Sequence, residues 1–289
     1  MIAPDADPKK IFVPGEVNEA HFQYLDNPAF APYKEASYRQ LGLKPGDIVL
    51  DAGCGTGIDT FAMASMAAKV GRIIGVDRAD PMIVEARRRR ALEHYDLDGE
   101  VSFVRADLTD LDEFESDSFD VARIDRTLQH AGAKERDDTA PARILAELAR
   151  VVRPGGTIQA CEPDWGAARI DAGVVAEATG RKISNAFVET RRIYHPRIGI
   201  QLAALFRQVR INPTHRMRYI IACRTLAEAE AIFRFQENAA DFTNTGDKYS
   251  ITAREAAVWL AALEAASKSG EFYASLPIHV VTGQVPLET

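Results

Sequence analysis

From Asp47 onward the chain alternates short apolar runs with stretches whose apolar residues recur at helical spacing, the pattern of βαβ units on a parallel sheet. DIVLD (47–51) reads as a buried strand, introduced by the turn residues Pro45 and Gly46. Ile58 to Val70 is an Ala- and Met-rich helix stopped by Gly71, and RIIGVD (72–77) is a second strand. Asp80-Pro81 opens the next helix, with Asp80 as its cap and Pro81 at the first helical position, where a missing N–H costs nothing. VSFVRAD (101–107) and FDVARID (119–125) are the third and fourth strands. A helix over 139–152 closes at Arg153-Pro154-Gly155-Gly156, and TIQACEP (157–163) is the fifth strand.

Beyond this point the pattern changes. Residues 174–209 are mostly helical, MRYIIAC (217–223) is a sixth strand, helices follow at about 225–238 and 252–268, and SLPIHVVTGQV (275–285) is a seventh strand. The expected fold is α/β, a Rossmann-like, doubly wound, seven-stranded and mostly parallel sheet with helices on both faces. Residues 1–46, with Phe22, Tyr24, Phe30, Tyr33 and Tyr38, read as an N-terminal helical cap. Residues 47–289 read as one domain, with a helical insert at about 225–268 before the last strand.

Composition narrows the partners. An apolar fraction of 46% and a charged fraction of 27% are ordinary for a globular chain, and the net charge of −7 opposes binding to a nucleic-acid backbone. The longest basic run, Arg87 to Arg90, lies in a helical pattern beside Glu85 and Glu93 and reads as a solvated helix face. Cys54, Cys161 and Cys223 lie far apart in the chain and suggest free thiols in a reducing compartment. With no apolar signal core in MIAPDADPKK and no run of membrane-spanning length, the expected setting is the cytoplasm, without a membrane partner.

The strongest chemical signal is VLDAGCGTG, Val49 to Gly57. A strand ends in Asp51 and turns through Gly53, Gly55 and Gly57 into a helix, a turn that needs glycine for positive φ and for close approach of a ligand to the backbone. The glycines run G-x-G-x-G. Ile58 stands where a dinucleotide fingerprint places its last glycine, which disfavours a dehydrogenase, and no Gly-Lys-Ser/Thr follows to make a P-loop. Asp77 ends the second strand twenty residues past Gly57, where a carboxylate accepts both hydroxyls of a ribose. Ala106-Asp107-Leu108 ends the third strand, where a carboxylate can accept an adenine amino group. Each acid alone is compatible with a helix cap or a solvated strand end; three in this order at strand ends are much harder to obtain by chance.

From Asp47 to about Glu162, through DAGCGTG, Asp77, RADL, FDVARIDRTLQH and ELARVVRPGGTI, the chain resembles the class I S-adenosylmethionine-dependent methyltransferases. It is most similar to the branch of ubiquinone/menaquinone-biosynthesis-type and natural-product enzymes. The resemblance implies S-adenosylmethionine as cofactor, S-adenosylhomocysteine as product and a small-molecule acceptor. It implies that Asp51, Gly53, Gly55 and Gly57 surround the methionine half, that Asp77 takes the ribose and that Met82 packs on the adenine. Asp107, flanked by Ala106 and Leu108, takes the adenine amino group, and Asp125 and Arg126 line the methionine and sulfonium side. For Met82 the alternative is a core residue under its helix.

Methyl transfer is an in-line displacement in which the protein aligns the reactants and excludes water, so the family has no universal catalytic residue. Two side chains at the sheet edge are candidates for a general base: His130, which closes RTLQH after the fourth strand, and Asp164 in CEPDW after the fifth. Packing against the cofactor for His130, and helix capping or an arginine pair for Asp164, are the bland alternatives. Asp125, Glu162 and Asp164 imitate a magnesium set, but the Asp-Asn pair of the metal-binding members is missing and no metal is expected. Tyr24, Phe30, Tyr33, Trp165, His195 and Arg197 either wall the acceptor pocket or fasten the cap to the sheet. The expected reaction is methylation of O or N on an aromatic or polyketide-like molecule. C-methylation of a quinone-type ring, a relative that has lost methyl transfer, and a cofactor-sensing scaffold stay open. A nucleic-acid acceptor is disfavoured, since no N-P-P-F/Y motif follows the fourth strand.

Overall fold

A computed structural model describes residues 22, 24–66, 71–92, 100–171, 183, 186, 193–236, 239 and 251–287. Its centre is a mixed eight-stranded sheet. Four parallel strands, β1 (Ile48–Ala52), β2 (Arg72–Asp77), β3 (Glu100–Arg105) and β4 (Phe119–Asp125), are joined by β5 (Val152–Pro163) in the order β3-β2-β1-β4-β5. The chain leaves β1 toward β2 on one side and returns to β4 on the other, so the order reverses between β1 and β4. The crevice at their carboxyl ends is where open α/β sheets bind ligands.

Each buried strand splits its residues between two layers. Leu50 and Ala52 of β1, Ile124 of β4 and Ile158 and Ala160 of β5 face α4 (Ala140–Val151) and α5 (Ile198–Gln208), meeting Ile144, Leu145, Leu148, Leu202 and Phe206. Val49, Ile73 and Val121 face the other layer, α1 (Ala31–Leu41), α2 (Ile58–Met66) and α3 (Asp80–Leu92), through Tyr38, Leu41, Phe61, Met63, Ile83 and Ala86. Helices therefore cover both faces, as the pattern predicts. The basic run of α3 is more than a solvated face: Arg89 pairs with Glu85 and with Asp26 ahead of α1, and Arg87 reaches the Phe103 carbonyl. Asp80 lies inside the first turn of α3 rather than capping it.

Among the described residues the sheet holds eight strands where the sequence pattern predicts seven, and the additional one lies on its far side. β8 (Tyr273–Gln284) runs antiparallel to β5 on one edge and to β7 (Asn212–Cys223) on the other. The additional strand, β6 (Arg169–Asp171), pairs with Tyr273 to Ser275 of β8 on the edge that β5 uses further along. It resumes the path of β5 after a 3-10 turn at Trp165–Ala167. Three residues are too few to show an apolar period. β5 also begins earlier than expected, because Val152 pairs with Phe119 and the Pro-Gly-Gly stretch is absorbed as an irregularity with Gly155 at φ 76°. β7 starts at Asn212, through the largely exposed NPTHR; among the described residues it is an edge strand that pairs with β8 alone, and it tolerates Pro213.

Between β7 and β8 stand α6 (Leu226–Phe233) and α7 (Ala253–Ser269), each opened by a capping box, Thr225 with Glu228 and Thr252 with Glu255. Their buried faces merge with Tyr24, Phe30 and Tyr33 ahead of and within α1, and with Trp165, into one apolar cluster over the ends of β7 and β8. The expected helices over 67–70 and most of 174–192 lie outside the described residues.

Candidate functional site

The turn after β1 is held from below. The Gly53 and Cys54 N–H groups both donate to the Val76 carbonyl, at 2.7 and 2.9 Å, so the loop lies against the end of β2. Gly53, Gly55 and Gly57 have φ of 75°, 54° and 85°. At Gly53 the space is decisive as well: a Cβ there would stand 2.2 Å from Thr127 Oγ1, in the loop after β4. The loops from β1 and β4 thus close on each other only because Gly53 has no side chain. Thr56, 1% exposed, has its hydroxyl buried without a hydrogen-bond partner. An unsatisfied buried hydroxyl in a glycine loop fits a polar ligand held there.

Asp77 Oδ2 accepts the Gly55 N–H at 3.1 Å and Oδ1 the Ala79 N–H at 2.8 Å. Burial raises its carboxyl against these bonds. Two backbone bonds leave lone pairs for hydroxyl donors, since a carboxylate offers about four acceptor positions. Met82 is buried in the first turn of α3, and Ala106 and Leu108 are buried past the end of β3. Asp107 between them is exposed, with Oδ1 taking the Thr109 N–H and hydroxyl at 2.9 and 2.8 Å. Desolvation pushes its carboxyl up, but the Thr109 bonds outweigh it and the net shift is downward.

On the α1 side of the sheet lies a buried ionic seam. Asp51 accepts the Thr60 hydroxyl at 2.5 Å. Asp59 of α2 accepts Lys34 at 2.7 Å and the Tyr38 hydroxyl, and it faces Arg123 Nη1 at 3.2 Å. Arg123, fully buried in β4, reaches Asp125 Oδ2 with Nη2 at 2.5 Å. The Tyr33 hydroxyl donates to both Asp125 oxygens, at 2.8 and 3.0 Å, and Arg126 Nε to Oδ1 at 3.0 Å. Desolvation raises Asp51, and Asp59 adds to the shift; Asp59 itself is also desolvated, but Arg123 and Lys34 hold it below the ordinary range. Through this seam α1 is tied to the strand ends that carry the site. With Asp125 engaged by two arginines and a tyrosine, it is poorly placed as a metal ligand, and the described residues contain no cluster of three or more His, Cys, Asp or Glu able to hold a metal ion.

The segment after β4 is pinned from several directions. Arg126 adopts a left-handed backbone, φ 51°, a conformation a non-glycine residue keeps only when its surroundings over-determine it. Its N–H donates to Cys161 O at 2.8 Å, and its own carbonyl accepts Gln129 Nε2 at 3.0 Å. Gln129 Oε1 in turn accepts the Trp165 indole N–H at 2.9 Å. Glu162 of β5, wholly buried, takes the N–H groups of Thr127 and Leu128 on Oε1 at 2.8 and 2.6 Å. Its Oε2 is buried without a hydrogen-bond partner, and desolvation lifts its carboxyl to about 8 against the backbone N–H groups of Leu128, Thr127 and Gln129. The sequence pattern singled out Glu162 only as part of a metal imitation; its grip on this loop depends on a contact 34 and 35 residues away in sequence.

His130 ends the 3-10 turn Leu128–His130 and is half-buried, on the same post-β4 segment. Asp164 is 2% exposed, with Oδ1 buried and unpartnered. It caps nothing with its side chain and has no arginine pair among the described residues. His195 reaches the same segment from the other side, its N–H donating to Gln129 O at 2.9 Å and Nε2 lying 3.0 Å from Ala131 O. Of the six wall residues, Tyr24, Phe30, Tyr33 and Trp165 gather in the apolar cluster; the Arg197 side chain lies against Gly166.

Comparison with known proteins agrees with this arrangement. A family model described as a methyltransferase domain matches residues 43–210. Over 130 residues the chain is 36% identical to a demethylmenaquinone methyltransferase of Clavibacter sepedonicus, a match covering 45% of this chain and 46% of that one. Over 231 residues it is 28% identical to a cypemycin N-terminal methyltransferase of a Streptomyces species, covering 78% and 86%. The crystal structure of the YcgJ protein of Bacillus subtilis shares the fold, with a TM-score of 0.57 at 15% identity, over 90% of this chain and 100% of that one.

Proposed function

Because the chain belongs to the class I S-adenosylmethionine-dependent methyltransferases, we propose that it methylates an oxygen or nitrogen of a small, flat acceptor seated over the ends of β4 and β5. One observation carries the acceptor side of this reading. Beside the cap aromatics, the strand ends hold three buried polar atoms without partners: Arg126 Nη1, Glu162 Oε2 and Asp164 Oδ1. Buried polar atoms are nearly always satisfied in a finished structure, so their concentration here suits a bound molecule.

In this reading Asp51, Gly53, Gly55 and Gly57 enclose the methionine half of the cofactor, with the Thr56 hydroxyl among the groups available to it. Asp77 holds the ribose; Met82, Ala106 and Leu108 flank the adenine, and Asp107 takes its amino group. Asp125 and Arg126 stand where the methionine half meets the acceptor. When bound, S-adenosylmethionine supplies an electrophilic methyl carbon on a sulfonium. The protein's part is alignment and exclusion of water, by the pinned loop 126–130 and the cap aromatics. His130 accepts the proton of a neutral hydroxyl or amine, and Asp164, on the neighbouring strand end, is the second candidate for that task.

C-methylation of a quinone-type ring is the second reading, favoured by the demethylmenaquinone methyltransferase relative, although that match spans less than half of either chain. The two separate on product. The protein is incubated with S-adenosylmethionine carrying a 13C-methyl group and a panel of phenols, aromatic amines and a 1,4-naphthoquinol. The expected products carry the label as O-methyl or N-methyl carbon in the NMR spectrum. Label on a ring carbon of the naphthoquinol alone would move the assignment to the second reading.

A further inference from the structure

We infer that the Arg126 side chain is an anion anchor and that the acceptor carries a carboxylate, or an equally ionised oxygen, that this guanidinium holds. The inference rests on the methyltransferase reading and names the substrate class of the same site.

Three observations converge. The Arg126 side chain is 8% exposed, and of its donors Nε is used on Asp125 while Nη1 is buried without a partner. The guanidinium carbon lies 4.0 Å from the ring centroid of Phe30 and 5.8 Å from that of Tyr24, so aromatic rings pack beside the group without using its N–H donors. A planar fork with an unused edge matches a carboxylate better than any neutral group.

The charge balance gives the same answer. Three buried cations, Lys34, Arg123 and Arg126, are set against Asp59 and Asp125. Asp51 and Glu162 are both displaced toward their protonated forms by burial, and each feels a neighbouring carboxylate as well. The more these two carboxyls are held protonated, the more the seam's three cations exceed its paired acids. S-adenosylmethionine brings one more, because its ammonium and sulfonium outnumber its carboxylate. Accumulating buried charge of one sign is costly, and an anionic acceptor relieves it. A neutral acceptor leaves Nη1 unpaired and the excess uncompensated.

The test is calorimetry on the whole chain with defined probes. S-adenosylhomocysteine is titrated first. The loaded protein is then titrated with 2-naphthoate, cinnamate and 4-hydroxybenzoate, each beside its neutral carboxamide. At least one acid is expected to bind tenfold or more tighter than its amide, a comparison that needs no variant. In Arg126→Gln that preference disappears, as for a charge-assisted bond to the acceptor. If acids and amides bind the loaded protein alike, or neither binds, the anchor is wrong and cofactor binding stands. If Arg126→Gln weakens S-adenosylhomocysteine tenfold, the guanidinium serves the cofactor's own carboxylate and the inference falls. If S-adenosylhomocysteine does not bind the natural protein, the methyltransferase reading falls with it.

Discussion

Glu162 makes the protein lose stability as pH rises through neutrality, and replacing it with glutamine removes that loss. Its carboxyl is wholly buried and displaced from 4.5 to about 8, chiefly by desolvation. A carboxyl whose folded pKa lies above its unfolded value binds more protons in the native state between the two. Stability therefore falls with increasing pH across the window from 4.5 to about 8. At about 1.4 kcal/mol per unit, the Glu162 contribution lost between roughly pH 6 and pH 9 is about 2–3 kcal/mol. Glu162→Gln keeps an oxygen for the Thr127 and Leu128 N–H groups but cannot ionise. Urea unfolding of the cofactor-free protein at both pH values should show the natural chain losing about 2–3 kcal/mol more than the variant. Asp51 and Asp77 are also raised, but they titrate in both proteins, and the difference isolates position 162. Parallel losses in the two proteins would refute the reasoning.

Gly53→Ala should cost more than about 1–2 kcal/mol in unfolding experiments, since its φ is 75° and the new Cβ meets Thr127, and Thr127→Ala should recover part of it. Lys34→Met leaves Asp59 short of a buried partner and should lower stability by about 3 kcal/mol, with faster hydrogen exchange in α1 than in β1. His130→Ala should reduce turnover by about 10²–10⁴-fold with S-adenosylhomocysteine affinity unchanged in calorimetry; a parallel fall in both would make it part of the cofactor wall.

Those parts of the fold whose signal is local were legible in the sequence. β2 and β4 fall on the expected residues, because both are buried on both faces: β2 carries the run Ile73 to Val76, and β4 the apolar Phe119, Val121, Ala122 and Ile124 between charged residues. The glycine loop was legible for the same reason, its constraint lying within seven consecutive residues. β6 was not, being three residues long and paired through β8. The opening of β7 was hidden because an edge strand exposed on both faces has no apolar alternation to read. The ionic seam was hidden more completely. Tyr33 meets Asp125 across 92 residues and Lys34 meets Asp59 across 25, and no local pattern says which lysine or tyrosine of a cap is buried against which carboxylate. Asp125 and Arg126 were singled out through family resemblance, whereas Lys34 and Asp59 lie outside every motif and Arg123, inside one, was given no role. Asp164 stood out only as a polar residue after a strand, and its buried unpartnered oxygen is a property of the folded chain.

In the proposed function the crevice over β1 and β2 binds S-adenosylmethionine through the glycine loop and Asp77. Calorimetric titration of S-adenosylhomocysteine into the natural chain and into Asp77→Ala tests it most directly. Asp77 offers its remaining lone pairs to two ribose hydroxyls, and charge-assisted bonds of this kind are worth roughly 1.5–3 kcal/mol. The natural protein should show one site, the variant an affinity at least about tenfold weaker, and neither any heat from NAD. Equal affinity in a folded Asp77→Ala protein, or binding of NAD in place of S-adenosylhomocysteine, would contradict it.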